Sequence, residues 1–151
     1  MDAVLAQAAL RAQPAEPEVA SFDGERNESG LREGSGRMTW PGGESYDGEW
    51  SGGDVHGHGT YTNRLGGVYV GQWIHNEKHG RGVFTYTSGD RYDGEWEDDQ
   101  RHGHGIYYYS NGSVYTGQWR SGRKHGLGTY AYANGCTYSD KVRDAGVVAG
   151  V

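Results

Sequence analysis

The sequence predicts an all-β protein, built as an elongated single-layer antiparallel meander of β-hairpins. Three patterns predict this fold, and each recurs at a step of 23 residues. The first is Tyr-x-Gly-x-Trp, the second is His-Gly-x-Gly followed two residues later by an aromatic residue, and the third is a lone Gly between successive units. Self-similarity at a fixed step indicates a repeat protein, in which each unit packs mainly against its neighbours.

The Tyr-x-Gly-x-Trp pattern predicts the first strand of each hairpin. Tyr46, Gly48 and Trp50 are two residues apart, so an extended strand places them on one face and turns Asp47 and Glu49 towards water. We expect these aromatic rings to form the core. The repeat core predicted in this way comprises Tyr46, Gly48, Trp50, Tyr69, Gly71, Trp73, Tyr92, Gly94, Trp96, Tyr115, Gly117 and Trp119.

The His-Gly-x-Gly pattern predicts the second strand, after a turn-rich segment such as residues 51–55. The same alternation places Gly57, Gly59 and Tyr61 on the core face. Glycine in a strand costs conformational entropy and adds no packing, so its recurrence needs a reason. We expect the missing side chains to leave slots for the rings of Tyr46 and Trp50.

Short glycine-containing pairs join one hairpin to the next. They are Ser88-Gly89, Asn111-Gly112 and Asn134-Gly135, with Leu65-Gly66 as a poorer version. Asn-Gly is the preferred pair for a two-residue type I′ turn, which needs a positive φ at both positions. We therefore expect type I′ turns here, and one continuous sheet.

Composition agrees with an aromatic core. Leu, Ile, Val and Phe make up only 20 of the 151 residues, whereas the chain has 12 Tyr and 5 Trp, which bury large areas. The repeat array is predicted at residues 21–138, with about five repeats and the start of a sixth. Residues 1–20 and 139–151 are expected to be flexible segments.

Charge and cysteine content narrow the class of protein. The net charge of −6 argues against a nucleic-acid partner. The single Cys136 cannot form an internal disulfide, which is typical of a reducing intracellular compartment. The sequence has no apolar run of about 18 residues, and its first 13 residues are not typical of a signal peptide. A soluble intracellular protein is expected.

The sequence predicts no catalytic residues, no cofactor and no metal site, because no Ser, His or Asp stands out from the repeat. His56 and His58, like His102 and His104, form i, i+2 pairs. Equivalent His of neighbouring repeats would lie about 9.5 Å apart, too far to share one ion easily. They are interpreted as structural hydrogen-bonding residues, with a metal or pH role as the alternative.

Lys78, Arg101 and Lys124 precede the repeat His in three successive units and suggest a basic stripe in the loops along one edge. The stripe is either solvated charge or a docking strip for an acidic partner or anionic lipid headgroups. Acidic residues between positions 95 and 99 would oppose lipid binding. Tyr108 is expected to be exposed, as an interface anchor.

The 23-residue unit resembles the membrane occupation and recognition nexus (MORN) repeat over residues 22–138. Within that family the chain is similar to radial spoke head members, through Asp23-Gly24-Glu25-Arg26-Asn27-Glu28 and the stretch from Arg91 to Trp119. The resemblance implies a non-enzymatic structural subunit in the cytoskeleton of motile cilia and flagella, which contacts other radial spoke head subunits. Homodimer formation is left open. The alternative function is a peripheral module that binds membrane phospholipid.

Overall fold

The computed structural model describes residues 19–142. Across this range the chain forms eleven strands, and every strand pairs antiparallel with the next in a single open sheet whose strand order follows the chain. The predicted all-β meander is confirmed. The strands are β1 (Ser21–Arg26), β2 (Arg32–Thr39), β3 (Ser45–Ser51), β4 (Asp54–Thr62), β5 (Val68–Ile74), β6 (Glu77–Thr85), β7 (Arg91–Glu97), β8 (Gln100–Tyr108), β9 (Val114–Arg120), β10 (Arg123–Ala131) and β11 (Thr137–Val142).

The last strand extends past the predicted end of the array at residue 138. Ser139 of β11 pairs with Thr129 of β10, and Val142 pairs with Gly126. Most of the predicted tail at 139–151, and nearly all of the predicted lead-in at 1–20, lies outside the described residues. Residues 19–142 contain no helix long and apolar enough to span a membrane.

The predicted type I′ turns are wrong in position. In the connection between β6 and β7, the Gly89 amide donates to Tyr86 O at 3.0 Å and the Tyr86 amide donates to Asp90 O at 2.9 Å. Only the glycine has a positive φ (89°), so Ser88-Gly89 is the end of a longer turn rather than a two-residue type I′ turn. The same holds for Leu65-Gly66, Asn111-Gly112 and Asn134-Gly135.

Two-residue turns with both φ values positive lie instead inside each repeat. They connect β3 to β4, β5 to β6, β7 to β8 and β9 to β10, at Gly52-Gly53, His75-Asn76, Asp98-Asp99 and Ser121-Gly122. Because type I′ geometry matches the twist of the flanking strands, these turns hold the two strands of a repeat close together. Two of them contain no glycine, which is why their sequences do not indicate the turn.

The second strand of each repeat contains a β-bulge that the strict alternation did not predict. In the second repeat, Gly48 pairs with Gly59 but Glu49 pairs with His56, so β4 has two extra residues at this point. Gly57 has a φ of 60°, and a Cβ there would meet the Glu49 carboxylate rather than the core rings. The expectation that Gly57 lies on the core face is therefore wrong, whereas Gly59 and Tyr61 pair opposite Gly48 and Tyr46 as predicted.

The predicted slot at Gly59 is occupied by a tyrosine ring. A Cβ on Gly59 would collide with the Tyr46 ring and hydroxyl, and a Cβ on Gly48 would lie 2.5 Å from the Gly59 Cα. The glycine pair therefore lets the ring lie directly on the backbone. The same arrangement recurs at the later repeats, where Tyr69 lies on Gly82, Tyr92 on Gly105 and Tyr115 on Gly128.

The core is a continuous row of edge-to-face rings. Trp96 contacts Tyr92 of its own strand at 5.3 Å between centroids and Tyr69 of the preceding repeat at 5.2 Å. Its indole Nε1 donates to Gly82 O at 3.1 Å, across the join between two repeats. The row runs through every repeat tyrosine and tryptophan, and all eight are buried: Tyr46, Trp50, Tyr69, Trp73, Tyr92, Trp96, Tyr115 and Trp119.

Candidate binding groove on the aromatic face

The sheet has two chemically distinct faces. We call the face that holds the buried tyrosines and tryptophans the aromatic face, and the opposite one the polar face. A second row of rings, only partly buried, packs against the first row on the aromatic face. Neighbouring rings of this outer row have centroids 4.5–5.9 Å apart. Its members are Phe84, Tyr86, Tyr107, Tyr109 and Tyr130. The exposed ring of Tyr132 contacts the last of them, Tyr130.

The predicted basic stripe also lies on the aromatic face, so its assignment to edge loops is wrong. Lys78, Arg101 and Lys124 belong to strands β6, β8 and β10. The Arg101 guanidinium lies 4.5 Å from the Trp119 ring centroid, and Lys124 Nζ lies 4.6 Å from that of Tyr115. The interpretation as fully solvated loop charge is incorrect, because each cation covers rings of the core.

The backbone at the position of Lys78 and Arg101, and at the equivalent position of the earlier repeats, also connects one repeat to the next. The second residue of every type I′ turn donates its amide to the backbone carbonyl at that position in the preceding repeat. The distances are 2.9 Å for Gly53 to Arg32, 3.0 Å for Asn76 to Val55, 3.1 Å for Asp99 to Lys78 and 3.0 Å for Gly122 to Arg101. These hydrogen bonds therefore fix each turn to the neighbouring hairpin, at the end of the sheet where the type I′ turns lie.

The charge balance at this position differs between repeats. Lys78 Nζ lies 2.5 Å from Asp99 Oδ1, in the turn of the next repeat. At the equivalent place after Arg101 the turn residue is Gly122, and the Arg101 guanidinium donates to its carbonyl oxygen at 2.7 Å. Lys124 Nζ lies 2.5 Å from the Tyr109 hydroxyl oxygen. Burial, and then the nearby Arg101 charge, lower the pKa of Lys124 below its usual range.

Two depressions lie beside these cations on the aromatic face. The larger, of about 450 Å³, is lined by Arg101, Tyr107, Tyr109, Trp119 and Lys124, together with two neighbouring residues. The smaller, of about 290 Å³, includes Trp40, Trp73, Lys78 and Asp99. We call the larger one the β8–β10 depression.

Comparison with known proteins adds a family to this geometry. The MORN repeat matches five segments, at residues 28–45, 46–64, 69–91, 92–114 and 115–137, which together cover more than half of the chain. The chain belongs to the MORN-repeat family. No curated protein matches the chain. Among solved structures, the TCP domain of Drosophila melanogaster SAS-4, in complex with a proline-rich motif of Ana2, is similar at 12% identity and a TM-score of 0.40, with 80% of this chain and 77% of that chain covered. A likeness of this size carries no functional argument.

Membership of the MORN-repeat family indicates the general class of function. MORN repeats form protein-interaction or membrane-association modules and are generally non-enzymatic. Within residues 19–142 of this MORN protein, no three His, Cys, Asp or Glu side chains come together as a group that could hold a metal ion. Of the histidines that sequence analysis considered, His102 Nδ1 lies 3.0 Å from Glu97 Oε2 and His104 Nδ1 lies 3.9 Å from Glu95 Oε1. The His56 ring instead contacts the ring of His75, at 5.8 Å between centroids.

Tyr108 is separate from the cations that were grouped with it. It pairs with Arg91 and Val114, one residue out of phase with the core, so it lies on the polar face. Its ring is partly buried under the Arg91 guanidinium, at 5.1 Å from the centroid. The expectation of a freely exposed anchor is therefore wrong, and Tyr108 lies on the opposite face of the sheet from Arg101 and Lys124.

Sequence analysis missed the residue that holds each bulge. Glu49 Oε1 accepts the amide of His58 at 2.9 Å, and Glu95 Oε1 accepts that of His104 at 2.9 Å. Gln72 and Gln118 do the same for Arg81 and Leu127, at 2.7 and 2.9 Å. The signal was present as a Glu or Gln directly before Trp50, Trp73, Trp96 and Trp119, but it was interpreted only as a solvent-facing residue.

Proposed function

We propose that the protein is a non-enzymatic scaffold of the axonemal radial spoke head, of the meichroacidin type. The scaffold role is supported by one structural observation: hydrogen bonds from turn to strand join every hairpin to the next, so the sheet presents long continuous faces. The radial spoke assignment is supported by the similarity of residues 23–28 and of the stretch from Arg91 to Trp119 to members of that type. Its partners would be other radial spoke head subunits.

Fractionation of the tagged protein from motile ciliated cells tests this proposal. Detergent removes the membrane, and high salt then extracts the demembranated axonemes. Retention through detergent, followed by release together with spoke-head subunits, is the expected result. Release by detergent alone would overturn the axonemal assignment.

Membrane association is the second candidate, because MORN repeats also occur as membrane-association modules. It requires cations that can reach lipid headgroups. Lys78 has a side chain only 16% exposed and is paired with Asp99, which does not favour this role. Sedimentation with phosphatidylserine vesicles at physiological salt tests it: binding that is lost in the triple variant K78Q/R101Q/K124Q supports the membrane role, and absence of binding rejects it.

A further inference from the structure

Arg101 and Lys124 are two partly buried cations, and neither forms an ion pair with a carboxylate of residues 19–142. Both line the β8–β10 depression, and both lie against aromatic rings. Their hydrogen bonds go to the Gly122 carbonyl and the Tyr109 hydroxyl, which are neutral groups. Two like charges held together in a partly desolvated site favour an anion that enters from outside.

The repeat at Lys78 shows what would complete this site. There the carboxylate of Asp99 is supplied by the second residue of the next type I′ turn. The residue 21 positions after Arg101, at the same place in its turn, is Gly122. The described part of the chain therefore provides an internal anion for Lys78 and leaves that place open beside Arg101.

The Asp90 carboxylate, at the hydroxyl end of the Tyr107 ring, already accepts two hydrogen bonds. Asp90 Oδ1 accepts the Ser110 amide at 2.8 Å, and its Oδ2 accepts the Tyr107 hydroxyl at 2.9 Å. These two hydrogen bonds, the Ser110 amide first, hold the pKa of Asp90 below its usual range. Asp90 is thus fixed at the far end of the Tyr107 ring rather than between the cations.

We propose that the β8–β10 depression binds the carboxylate of an Asp or Glu side chain in an acidic, aromatic-containing segment of a protein partner. Arg101 and Lys124 would donate to the carboxylate, and the rings of Tyr107 and Tyr109 would pack against its apolar neighbours. This proposal deepens the scaffold function and rests on it. An anionic membrane fits less well, because the site is walled by rings and the chain carries a net charge of −6.

Two substitutions test the site without removing a core ring. Lys124→Gln deletes one cation. Gly122→Asp places a carboxylate where Asp99 lies beside Lys78, so that it should compete with the partner. The backbone allows this change, because Asp99 has a φ of 64° where Gly122 has 76°, and a Cβ on Gly122 would meet no atom within 4 Å.

Each variant has a matched control in another repeat. Lys78→Gln removes the equivalent cation that already has an internal carboxylate. Gly53→Asp makes the same change at the same turn position, beside Arg32 instead of Arg101. Circular dichroism and thermal unfolding of all four variants verify that the fold is retained.

The probe is a fluorescein-labelled hexapeptide of alternating Glu and Phe, compared with a hexapeptide of alternating Gln and Phe. We expect fluorescence anisotropy to show binding of the Glu peptide to the wild type and to both controls. Lys124→Gln and Gly122→Asp should weaken it by about tenfold or more. The proposal is overturned if the wild type does not bind the Glu peptide, if the Gln peptide binds equally well, or if the two controls weaken binding as much.

Two further experiments complete the test. The first distinguishes a protein carboxylate from phosphate or lipid as the bound anion, and the second distinguishes failure of the carboxylate site from failure of the radial spoke assignment. Inorganic phosphate or phosphatidylserine vesicles that bind at this site in preference to the Glu peptide would overturn a protein partner. Full-length Gly122→Asp protein is also carried through the axoneme fractionation beside the wild type. Wild-type protein missing from axonemes overturns the radial spoke assignment but not the peptide result, whereas failure of the peptide test in protein that axonemes retain overturns only the carboxylate site.

Discussion

Each repeat tyrosine is fixed by its hydroxyl as well as by its ring. Tyr92 is fully buried, and its hydroxyl donates to Glu95 O at 3.0 Å, the carbonyl beside the bulge. We predict that Tyr92→Phe lowers the free energy of unfolding by about 1 kcal/mol, because the partly buried Glu95 carbonyl loses a donor. Urea unfolding measures the change.

Tyr108→Phe is the matched control for this prediction. It removes a hydroxyl from the same protein, but from the polar face, where the ring lies under Arg91. A surface change of this kind should stay within about 0.5 kcal/mol. Equal losses in the two variants would show that the Tyr92 hydroxyl has no special role at the bulge.

The repeat tryptophan joins two repeats, so its loss should be felt in both. Trp96 is 6% exposed, contacts two tyrosines and donates to Gly82 O. Trp96→Ala is expected to cost about 3 to 5 kcal/mol, the usual range for deletion of a buried aromatic side chain. Hydrogen exchange should show faster opening of β6 and β7 first. Unchanged thermal unfolding would contradict the assignment of Trp96 to the core.

At the scale of one strand, the bulge glycine and the turn glycine should respond differently to the same substitution. Gly103 has a φ of 54°, and a Cβ there would lie 2.5 Å from Glu95 Oε2. Gly122 also has a positive φ, but with open space around it. Gly122→Ala carries only the left-handed backbone cost of about 1 to 2 kcal/mol, whereas Gly103→Ala must also displace Glu95 from the His104 amide.

Thermal unfolding of the two variants side by side checks this prediction. Gly103→Ala should be the less stable by an additional amount of about 1 kcal/mol, the value of the lost hydrogen bond. A ranking in the opposite order would mean that Glu95 moves aside freely and does not hold the bulge.

The same elements show how far sequence reasoning reaches. The 23-residue step and the alternation of Tyr46, Gly48 and Trp50 predicted the meander and the ring core, because burial of large aromatic side chains dominates strand placement. The bulge at Gly57 was missed because strict alternation assumes equal strand lengths on both sides of a pair. Asp98-Asp99 lies within the loop predicted for its repeat, but its type I′ geometry was missed because neither residue is a glycine.

The cations were misplaced for a related reason. Lys78, Arg101 and Lys124 were expected in loops because the loop inside the repeat was predicted over five residues, as at 51–55. The turn there has only two residues, Gly52-Gly53, and β4 begins at Asp54. With the turn at residues 98–99, Arg101 is already a strand residue whose alkyl stem and guanidinium cover Trp119. The sequence thus gives the position of a charged residue within the repeat, but the face of the sheet on which its side chain lies depends on where the preceding turn ends.

Across the whole molecule, the ring row has one consequence that every repeat shares. Burial raises the pKa values of Tyr46, Tyr69 and Tyr92 well above the usual tyrosine value of 10.0. It raises the pKa of Tyr109 to about 12. A group whose pKa is raised in the folded state stabilises the fold fully below its unfolded pKa. That contribution is lost as the pH rises from about 10 towards the folded pKa, since the unfolded chain releases its protons first.

We therefore predict that the free energy of unfolding falls steeply above about pH 10, by up to 1.4 kcal/mol per pH unit for each tyrosine that ionises only on unfolding. Urea unfolding at several pH values between about 9 and 11, with tyrosinate absorbance as a second signal, measures the slope. Tyr92→Phe provides the control, because it keeps the ring and removes one such hydroxyl. The free energy of unfolding of this variant should therefore fall less steeply with pH, by up to about 1.4 kcal/mol per pH unit. A stability that stays constant over this range would mean that the tyrosine hydroxyls of the ring row ionise as easily in the folded sheet as in the unfolded chain, and that the row is open to solvent.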